Sequence, residues 1–435
     1  MAETRPFRGL RYAATDLSAL VCPPYDVISP EEQRRLYERS PFNAARLEYG
    51  ETLPNDAPSH NRYTRAATTL RQWIESSVLV RDEAPPAFYV DDQQFMHEGR
   101  RLTRCSLFAR VRLHEWGDGP IRPHERTLSL PKEDRLQLLR ACRLNISPIL
   151  SLYRDDDARV REAVEASRRS ARLLATAEVN GERHTIHRID GEAALEPLAS
   201  LLQEKTFYVI DGHHRYETAL AYLKERRPQA GAWTGEEPEN FVLMALVARD
   251  DPGVVVLPTH RVLKSVALPD NVVACLESDF AIEDVTASLR DGGWQEMKSR
   301  LSRAAEGGVV LGLAIRHGRR FVLRVRDPAA IARQMPDSPV SWQSLDAAVL
   351  EEIVLRGIVG IDQQSAAAEG SLEFTHDGEQ ALGLVESGAA YATFLLSPAS
   401  VDRVLEIADA GERMPQKSTY LYPKLPAGLV MNLLN

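Results

Sequence analysis

The order of apolar and polar residues predicts strands and helices that alternate along most of the chain. Residues 208–210 form a short apolar run of the kind found in buried strands, and apolar residues then recur at helical spacing over 216–223. Segment 62–76 has one apolar face among charged residues, which predicts a surface helix. Runs 87–90 and 103–111 predict an antiparallel strand pair that turns at Gly99.

Local signals define several other elements. Ser29, followed by Pro30 and by Glu32, predicts the capped start of a helix. Segment 41–48 is interpreted as a strand that carries Asn43 and Arg46. In the second half, Asp346 is interpreted as the N-cap of a helix with an inward-facing apolar side.

This mixture predicts an α+β fold built on a mixed sheet. Residues 1–268 are expected to form the core with the active site, and residues 269–397 an accessory α+β region, because composition shifts near Pro269. Residues 398–435 are expected to return to the core and to line a cleft, since Lys, Ser, Thr and Tyr cluster there on a Pro-bounded segment.

Composition narrows the classes of function. The 435 residues are 44% hydrophobic and 26% charged, which is ordinary for a globular protein, and the net charge of −9 argues against broad binding of nucleic acid or acidic membranes. The four cysteines lie far apart, without zinc or disulfide spacing. No leader and no run of about 18 apolar residues is visible, so a cytoplasmic protein without a membrane span is expected. A homodimer is compatible with the sequence.

The segment from Asp211 to Arg215 carries the strongest chemical signal. A strand leads to Asp211 and Gly212, and the next helix begins with His213, His214 and Arg215. Backbone N–H groups, the helix dipole, a guanidinium and two imidazoles at one helix start favour a phosphate. The alternative is that Asp211 caps the helix and the histidines are surface residues.

Other polar clusters supply candidate partners for that phosphate site. Carboxylates and a histidine could act in proton transfer, and hydroxyl, aromatic and cationic side chains could hold substrate or phosphate. The catalytic candidates are Glu125, Asp26, His124 and Asp211. The further phosphate-binding candidates are Lys417, Lys424, Arg261 and Arg135, and the substrate-binding candidates are Tyr25, Thr127, His260, Ser418 and Thr419.

Six motifs, in order, resemble one bacterial and archaeal family, which is catalogued as family ten-fifteen of the domains of unknown function. They are Cys-Pro-Pro-Tyr-Asp-Val-Ile-Ser (22–29), Pro-His-Glu-Arg-Thr (123–127), Lys-Glu-Asp-Arg (132–135), Asp-Gly-His-His-Arg-Tyr-Glu-Thr-Ala (211–219), Leu-Pro-Thr-His-Arg (257–261) and Met-Pro-Gln-Lys-Ser-Thr-Tyr (414–420). The resemblance spans essentially the whole chain.

The turn at Gly212 is also similar to the phosphate-binding turn of the ParB/sulfiredoxin superfamily, which includes free serine kinases. Gly212, His214 and Arg215 match that turn, whereas His213 stands where sulfiredoxins have cysteine, so reductase chemistry is not implied. The resemblance implies a ParB/sulfiredoxin-like core with nucleotide or pyrophosphate at the helix start.

Two functions follow from this interpretation. The first is a small-molecule phosphotransferase, most like a free L-serine kinase, with ATP, ADP or pyrophosphate as donor and Mg²⁺ to offset charge. The second is a ParB-like nucleotide switch or slow NTPase that acts through a protein partner. Metal-dependent hydrolysis by His124, Glu125, Asp211 and His213 ranks last, because their spacing fits no standard zinc pattern.

Overall fold

The computed structural model describes residues 1–126, 129–229, 232–289, 293–305 and 308–435. The strands, in chain order, are β1 (Thr4–Arg5), β2 (Leu10–Tyr12), β3 (Leu79–Arg81), β4 (Phe88–His97), β5 (Arg100–Arg112), β6 (Ile121–Pro123), β7 (Leu144–Asn145), β8 (Ile149–Tyr153), β9 (Arg172–Val179), β10 (Glu182–Ile189), β11 (Phe207–Asp211), β12 (Phe241–Ala248), β13 (Val255–Leu257), β14 (His260–Leu263), β15 (Phe280–Asp284), β16 (Val310–Ile315), β17 (Arg319–Val325), β18 (Leu372–Thr375), β19 (Ala392–Leu396), β20 (Tyr420–Tyr422) and β21 (Asn432–Leu433).

The helices, in chain order, are α1 (Pro30–Arg39), α2 (Ala45–Glu48), α3 (Arg62–Glu75), α4 (Ser129–Cys142), α5 (Arg159–Arg168), α6 (Glu192–Gln203), α7 (His213–Arg226), α8 (Val272–Leu276), α9 (Gly293–Ala305), α10 (Pro328–Gln334), α11 (Asp346–Val349), α12 (Gln363–Ala368), α13 (Gly378–Glu386) and α14 (Val401–Asp409). A wider π-type helix spans Leu350–Val359, and a short 3₁₀ turn spans Tyr25–Val27. The mixture of both element types confirms the α+β class.

The chain forms two compact units. Unit 1 comprises residues 1–123, 127–255 and 423–435, and unit 2 comprises residues 124–126 and 256–422. These limits differ from the division at residues 268 and 397 that composition suggested. They follow long-range packing, because the last 13 residues join the first unit while a three-residue segment of the first half joins the second.

Unit 1 is built on a mixed sheet, as predicted. Within the described residues its order is β6-β11-β8-β12-β5-β4-β10-β9, with β1 added beside β5. β6 runs parallel to β11 and β8 runs parallel to β12, whereas the remaining neighbours are antiparallel. α5, α6 and α7 bury their apolar faces in the same cluster as β5 and β12, and this burial is the main source of the unit's stability.

The end of the chain returns to unit 1. β21 pairs with β7, and Cys22 and Ala427 form an isolated bridge. Leu10 and Met431 exchange backbone hydrogen bonds of 2.9 Å in both directions. This return involves residues 423–435 and not the whole of 398–435, and it carries Pro423 and Lys424 into the same unit as the Asp211–Arg215 turn.

Unit 2 has an antiparallel sheet of order β15-β17-β16-β19-β14-β18. α9 and α13 cover it, with Met297, Leu301 and Leu382 in the shared core. Residues 124–126 belong to this unit because His124 O accepts from Met414 N at 2.7 Å, and Met414 O accepts from Arg126 N at 3.3 Å.

Two local predictions were wrong. Segment 41–48 ends in helix α2, because the Asn43 side chain accepts from Ala45 N and donates to Ala19 O and Val21 O, which turns the chain out of an extended course. The N-cap of α11 is Leu345, and the Asp346 carboxylate accepts from Val310 N across the unit at 3.3 Å instead of capping the helix.

Candidate functional site

The strand–turn–helix predicted around Gly212 is present. β11 ends at Asp211, Gly212 has φ +95° and ψ 25°, and α7 begins at His213. Glycine suits this position for two reasons. The backbone is left-handed, and a Cβ there would lie 3.0 Å from Nε and Nη2 of Arg215, whose guanidinium folds back over the turn.

Asp211 is the centre of an ion-pair group. Its carboxylate accepts from Arg215 Nη2 at 2.6 Å and contacts Lys424 Nζ. Lys424 Nζ also lies 3.5 Å from Asp26 Oδ2, and Arg215 Nη1 donates to Pro148 O at 2.6 Å. The side chains of Asp211, Arg215 and Lys424 are only 12–15% exposed, so solvent screens these contacts weakly.

The charges in this group stabilise one another. Burial by itself would raise the pKa of Asp211, but Lys424 and Arg215 hold it well below its usual range. Burial by itself would lower the pKa of Arg215, because it disfavours the charged guanidinium. The nearby carboxylates, with Asp211 first, nevertheless hold this pKa above its ordinary value. Both groups are therefore charged across the physiological pH range, and Asp211 is a weak base.

The two histidines of the turn occupy the first turn of α7. His213 is buried, with 8% of its surface exposed, whereas His214 is partly exposed. Their backbone N–H groups belong to the first turn, where an α-helix provides no internal acceptor. The helix start thus combines a positive dipole end with the Arg215 guanidinium.

Tyr25 and Asp26 lie on the 3₁₀ turn that follows the two prolines. The Arg135 guanidinium carbon lies 4.1 Å from the centre of the Tyr25 ring, in a cation–π contact. Arg135 Nη1 donates to Glu48 O at 2.7 Å, and its other edge pairs with Asp134. Burial, and then the charge of Asp26, raises the pKa of Tyr25, so its hydroxyl stays protonated.

Glu48 is a residue that the sequence analysis missed. It is 2% exposed, it accepts from Ser147 Oγ at 3.1 Å and from Tyr25 N at 3.4 Å, and its Oε1 lies 3.7 Å from Arg135 Nη1. The interpretation of segment 41–48 as a strand gave Glu48 no role, and no local motif distinguishes this residue. Only the long-range contacts show that it supports the Tyr25 turn.

A solvent-open pocket of about 430 Å³ adjoins these residues in unit 1. Its lining combines cationic, acidic and apolar side chains. The lining residues are Glu48, Arg135, Leu138, Leu139, Leu144, Asn145, Ile146, Ser147, Ile149, Arg215, Thr218 and Val242. Arg215 therefore contributes to the pocket lining and also donates a hydrogen bond to Asp211.

The remaining candidates among the described residues lie in unit 2. His124 is 1% exposed, and its Nε2 lies 2.8 Å from Thr419 Oγ1 and 3.9 Å from Glu125 Oε2. The Glu125 carboxylate is 18% exposed. The structure thus brings His124, Glu125 and Thr419 together, whereas Thr127 lies outside the described residues.

Arg261 is fully buried. Its Nε donates to Gln363 Oε1 at 3.0 Å, and its Nη1 donates to the carbonyls of Thr259 and Lys417. These contacts hold the backbone at Lys417, which is left-handed (φ +57°) and has an exposed side chain. Ser418 is buried and donates to Pro415 O at 2.7 Å.

His260 is also fully buried. Its Nδ1 accepts from Leu396 N at 3.1 Å, and its ring meets the Trp294 ring edge-on at 5.0 Å. Burial, and then the charge of Arg261, lowers the pKa of His260 to about 3, so this imidazole is neutral. The surroundings of His260 and Arg261 are those of packing groups rather than of exposed ligand contacts.

No group of three or more His, Cys, Asp or Glu side chains is placed to hold a metal ion among the described residues. Over the same ranges, no helix has both the length and the apolar character needed to cross a bilayer.

The sequence model of the family described as "Protein of unknown function (DUF1015)" matches residues 4–348. The chain belongs to this family. The resemblance to this family is thereby confirmed, and five of the six motifs lie within the matched residues. No curated protein matches the chain.

Several solved structures are similar to this chain at low identity. A conserved hypothetical protein from Pyrococcus furiosus is 12% identical, with 72% of this chain and 92% of that chain covered and a TM-score of 0.36. A free serine kinase in complex with AMP is 14% identical over 71% and 89% of the two chains, with a TM-score of 0.36. C-terminally truncated SbnI from Staphylococcus aureus is 11% identical over 72% and 84%, with a TM-score of 0.34.

Proposed function

We propose that this protein is a phosphotransferase that moves a phosphoryl group from a nucleotide or pyrophosphate to a small hydroxyl compound, most like a free L-serine kinase. The observation that carries the proposal is the group at the start of α7. There, Arg215 and Lys424 meet Asp211 beside a glycine turn. The choice of serine rests on the similarity of this turn to that of free serine kinases.

Arg215 and Lys424 would bind the donor phosphates. Both cations already contact carboxylates, so the group of Arg215, Lys424, Asp211 and Asp26 is balanced, with two positive and two negative charges. Donor phosphates would therefore bring excess negative charge. Mg²⁺ is commonly held by one or two carboxylates together with phosphates, and Asp26 and Asp211 are of that type. Bound with the donor, it would offset this charge.

Two carboxylates are candidates for the base that accepts the proton of the acceptor hydroxyl. Asp26 is 30% exposed, and its ion pair with Lys424 is long, at 3.5 Å. Glu125 is the other carboxylate that the sequence predicted for this role, and it is tested by mutation. Asp211 is less suited, because the depressed pKa of its carboxyl makes it a poor proton acceptor. Asp211 would orient Arg215 and Lys424.

The test is a transfer assay with purified protein, Mg²⁺, L-serine and, in turn, ATP, ADP or pyrophosphate. We expect phosphoserine with at least one donor. Arg215→Ala should abolish it, whereas the control Arg161→Ala, at an exposed side chain that pairs with Asp250, should leave it unchanged. Asp26→Asn and Glu125→Gln are compared to identify the base, because loss of the base should lower kcat by about 10²–10⁴.

The assay also separates phosphotransfer from the nucleotide switch. Failure to form phosphoserine with any donor, from protein that binds nucleotide, would rule out serine as acceptor. A change in oligomeric state on nucleotide binding, without any acceptor product, would support the switch instead. Donor binding that survives Arg215→Ala undiminished would refute the phosphate site itself.

A further inference from the structure

A network of buried polar side chains, called the polar network below, crosses the inner strands of the unit 1 sheet. Arg104 on β5, Gln93 and Asp91 on β4, and His184 on β10 are each 0–1% exposed. Burying charged and amide groups is costly unless each of them is paired. A polar network of this size inside a sheet therefore calls for an explanation.

The hydrogen bonds of the polar network lead to the C-terminal segment. Arg104 Nη2 donates to Pro423 O at 2.6 Å and also to Gln93 Oε1. Gln93 Nε2 donates to Glu182 Oε2 at 2.7 Å and lies 3.4 Å from Lys424 O. Arg104 and Gln93 thus hold the two carbonyls that flank the Cα of Lys424.

The His184 end of the polar network fixes the orientation of the Gln93 amide. Glu182 and Asp91 both lie next to His184, with Nδ1 of the imidazole 2.9 Å from Asp91 Oδ2 and Nε2 3.6 Å from Glu182 Oε2. Burial would lower the pKa of His184, but the two carboxylates raise it to about 9, so the imidazolium persists at neutral pH. The Gln93 NH₂ donates to the Glu182 carboxylate, which leaves the Gln93 oxygen to accept from Arg104.

We propose that Arg104 and Gln93 are positioning residues, which hold the backbone of Lys424 so that its ammonium group reaches Asp211 and Asp26. This inference rests on the proposed function only in that it makes Lys424 a phosphate-binding residue. Neither positioning residue touches the ligand. Their effect on phosphate binding passes through Lys424, and a variant that lacks the Lys424 amine no longer responds to them.

The first test needs no ligand. Lysine acetylation and amide hydrogen exchange are followed by mass spectrometry in wild type, Arg104→Lys and Gln93→Met. Lys424 should acetylate about tenfold faster in both variants, because one or more hydrogen bonds to its flanking carbonyls are lost. Arg188→Lys is the matched control, since Arg188 is a buried arginine of the same sheet that donates to another loop carbonyl, Pro85 O, at 2.7 Å. Unchanged labelling of Lys424 in the folded variants overturns the proposal.

The second test is a double-mutant cycle with inorganic pyrophosphate, measured by calorimetry. Arg104→Lys should weaken binding about tenfold in the wild-type background but less than about twofold in the Lys424→Ala background. Equal weakening in both backgrounds would show a general structural effect and would refute positioning through Lys424. If Arg104→Lys does not fold, Gln93→Met is put through the same cycle and decides the question.

The two tests keep this inference separate from the proposed function. If wild type binds no pyrophosphate and no nucleotide, the proposed function fails, while the labelling result still supports or refutes the hold on Lys424. If wild type binds pyrophosphate and the cycle is additive, the positioning role fails while the phosphate site stands.

Discussion

Replacement of Gly212 by alanine is the sharpest test of the phosphate turn. The residue has φ +95°, where a side chain strains the backbone, and the new Cβ would lie 3.0 Å from two atoms of the Arg215 guanidinium. The guanidinium would have to move by a few tenths of an ångström. That movement stretches its hydrogen bonds to Asp211 and Pro148, which are both 2.6 Å long.

The magnitude follows from two separate contributions. The left-handed backbone costs about 1–2 kcal/mol for an alanine. Weakening a hydrogen bond between charged groups adds up to about 1.5–3 kcal/mol, of which a partial displacement loses a part. Gly212→Ala should therefore lower the free energy of unfolding by about 2–4 kcal/mol.

Gly181 provides the matched control in the same unit. It has φ +80°, and a Cβ there would meet nothing within 4 Å. Gly181→Ala should show only the backbone cost of about 1–2 kcal/mol. Urea unfolding of the two variants and calorimetry with pyrophosphate form the assay. If both variants are destabilised equally and Gly212→Ala binds pyrophosphate like wild type, the role assigned to the Arg215 contact is refuted.

Three further predictions concern individual side chains. Asp211→Asn should lower the free energy of unfolding by about 3 kcal/mol at pH 7. Because the pKa of Asp211 is lowered in the folded state, the difference between wild type and variant, followed by urea unfolding, should shrink as pH falls below about 4. Burial raises the pKa of Asp346 to about 7, so wild-type stability should decline between about pH 4 and pH 7, and Asp346→Asn should gain on wild type as pH rises from 5 to 8. Asn61 accepts from the N–H groups of Tyr63 and Thr64 at the start of α3, so Asn61→Ala should lower the unfolding free energy by about 1 kcal/mol, and Asn61→Asp by less.

Elements with strong local signals were predicted well. The antiparallel pair β4 and β5, the capped start of α1 at Ser29 and the β11–α7 turn all agree with the structure. Their signals lie within a few residues, in apolar periodicity, capping side chains and a glycine at a turn. Segment 41–48 failed because a side chain, Asn43, turned the chain through bonds to residues more than 20 positions away.

The candidate site was only partly visible in the sequence. Asp26, Asp211 and Arg215 stood out because their residue types and flanking turns favour ligand chemistry, and they do lie with Lys424 in one ion-pair group. Glu48 could not be found in this way. Its importance comes from contacts with Tyr25, Arg135 and Ser147, which are separated from it by 23 to 99 positions.

The sequence by itself determined the family, the α+β class, the glycine turn and the residue types available for phosphate chemistry, because these depend on short patterns. Only the tertiary structure decided how those residues are used. It buried Arg261 and His260 in packing contacts, and it brought Lys424 to Asp211 across 213 positions. The physical reason is that the charge state and reach of a side chain depend on burial and on its partners, and most partners here are distant in the chain.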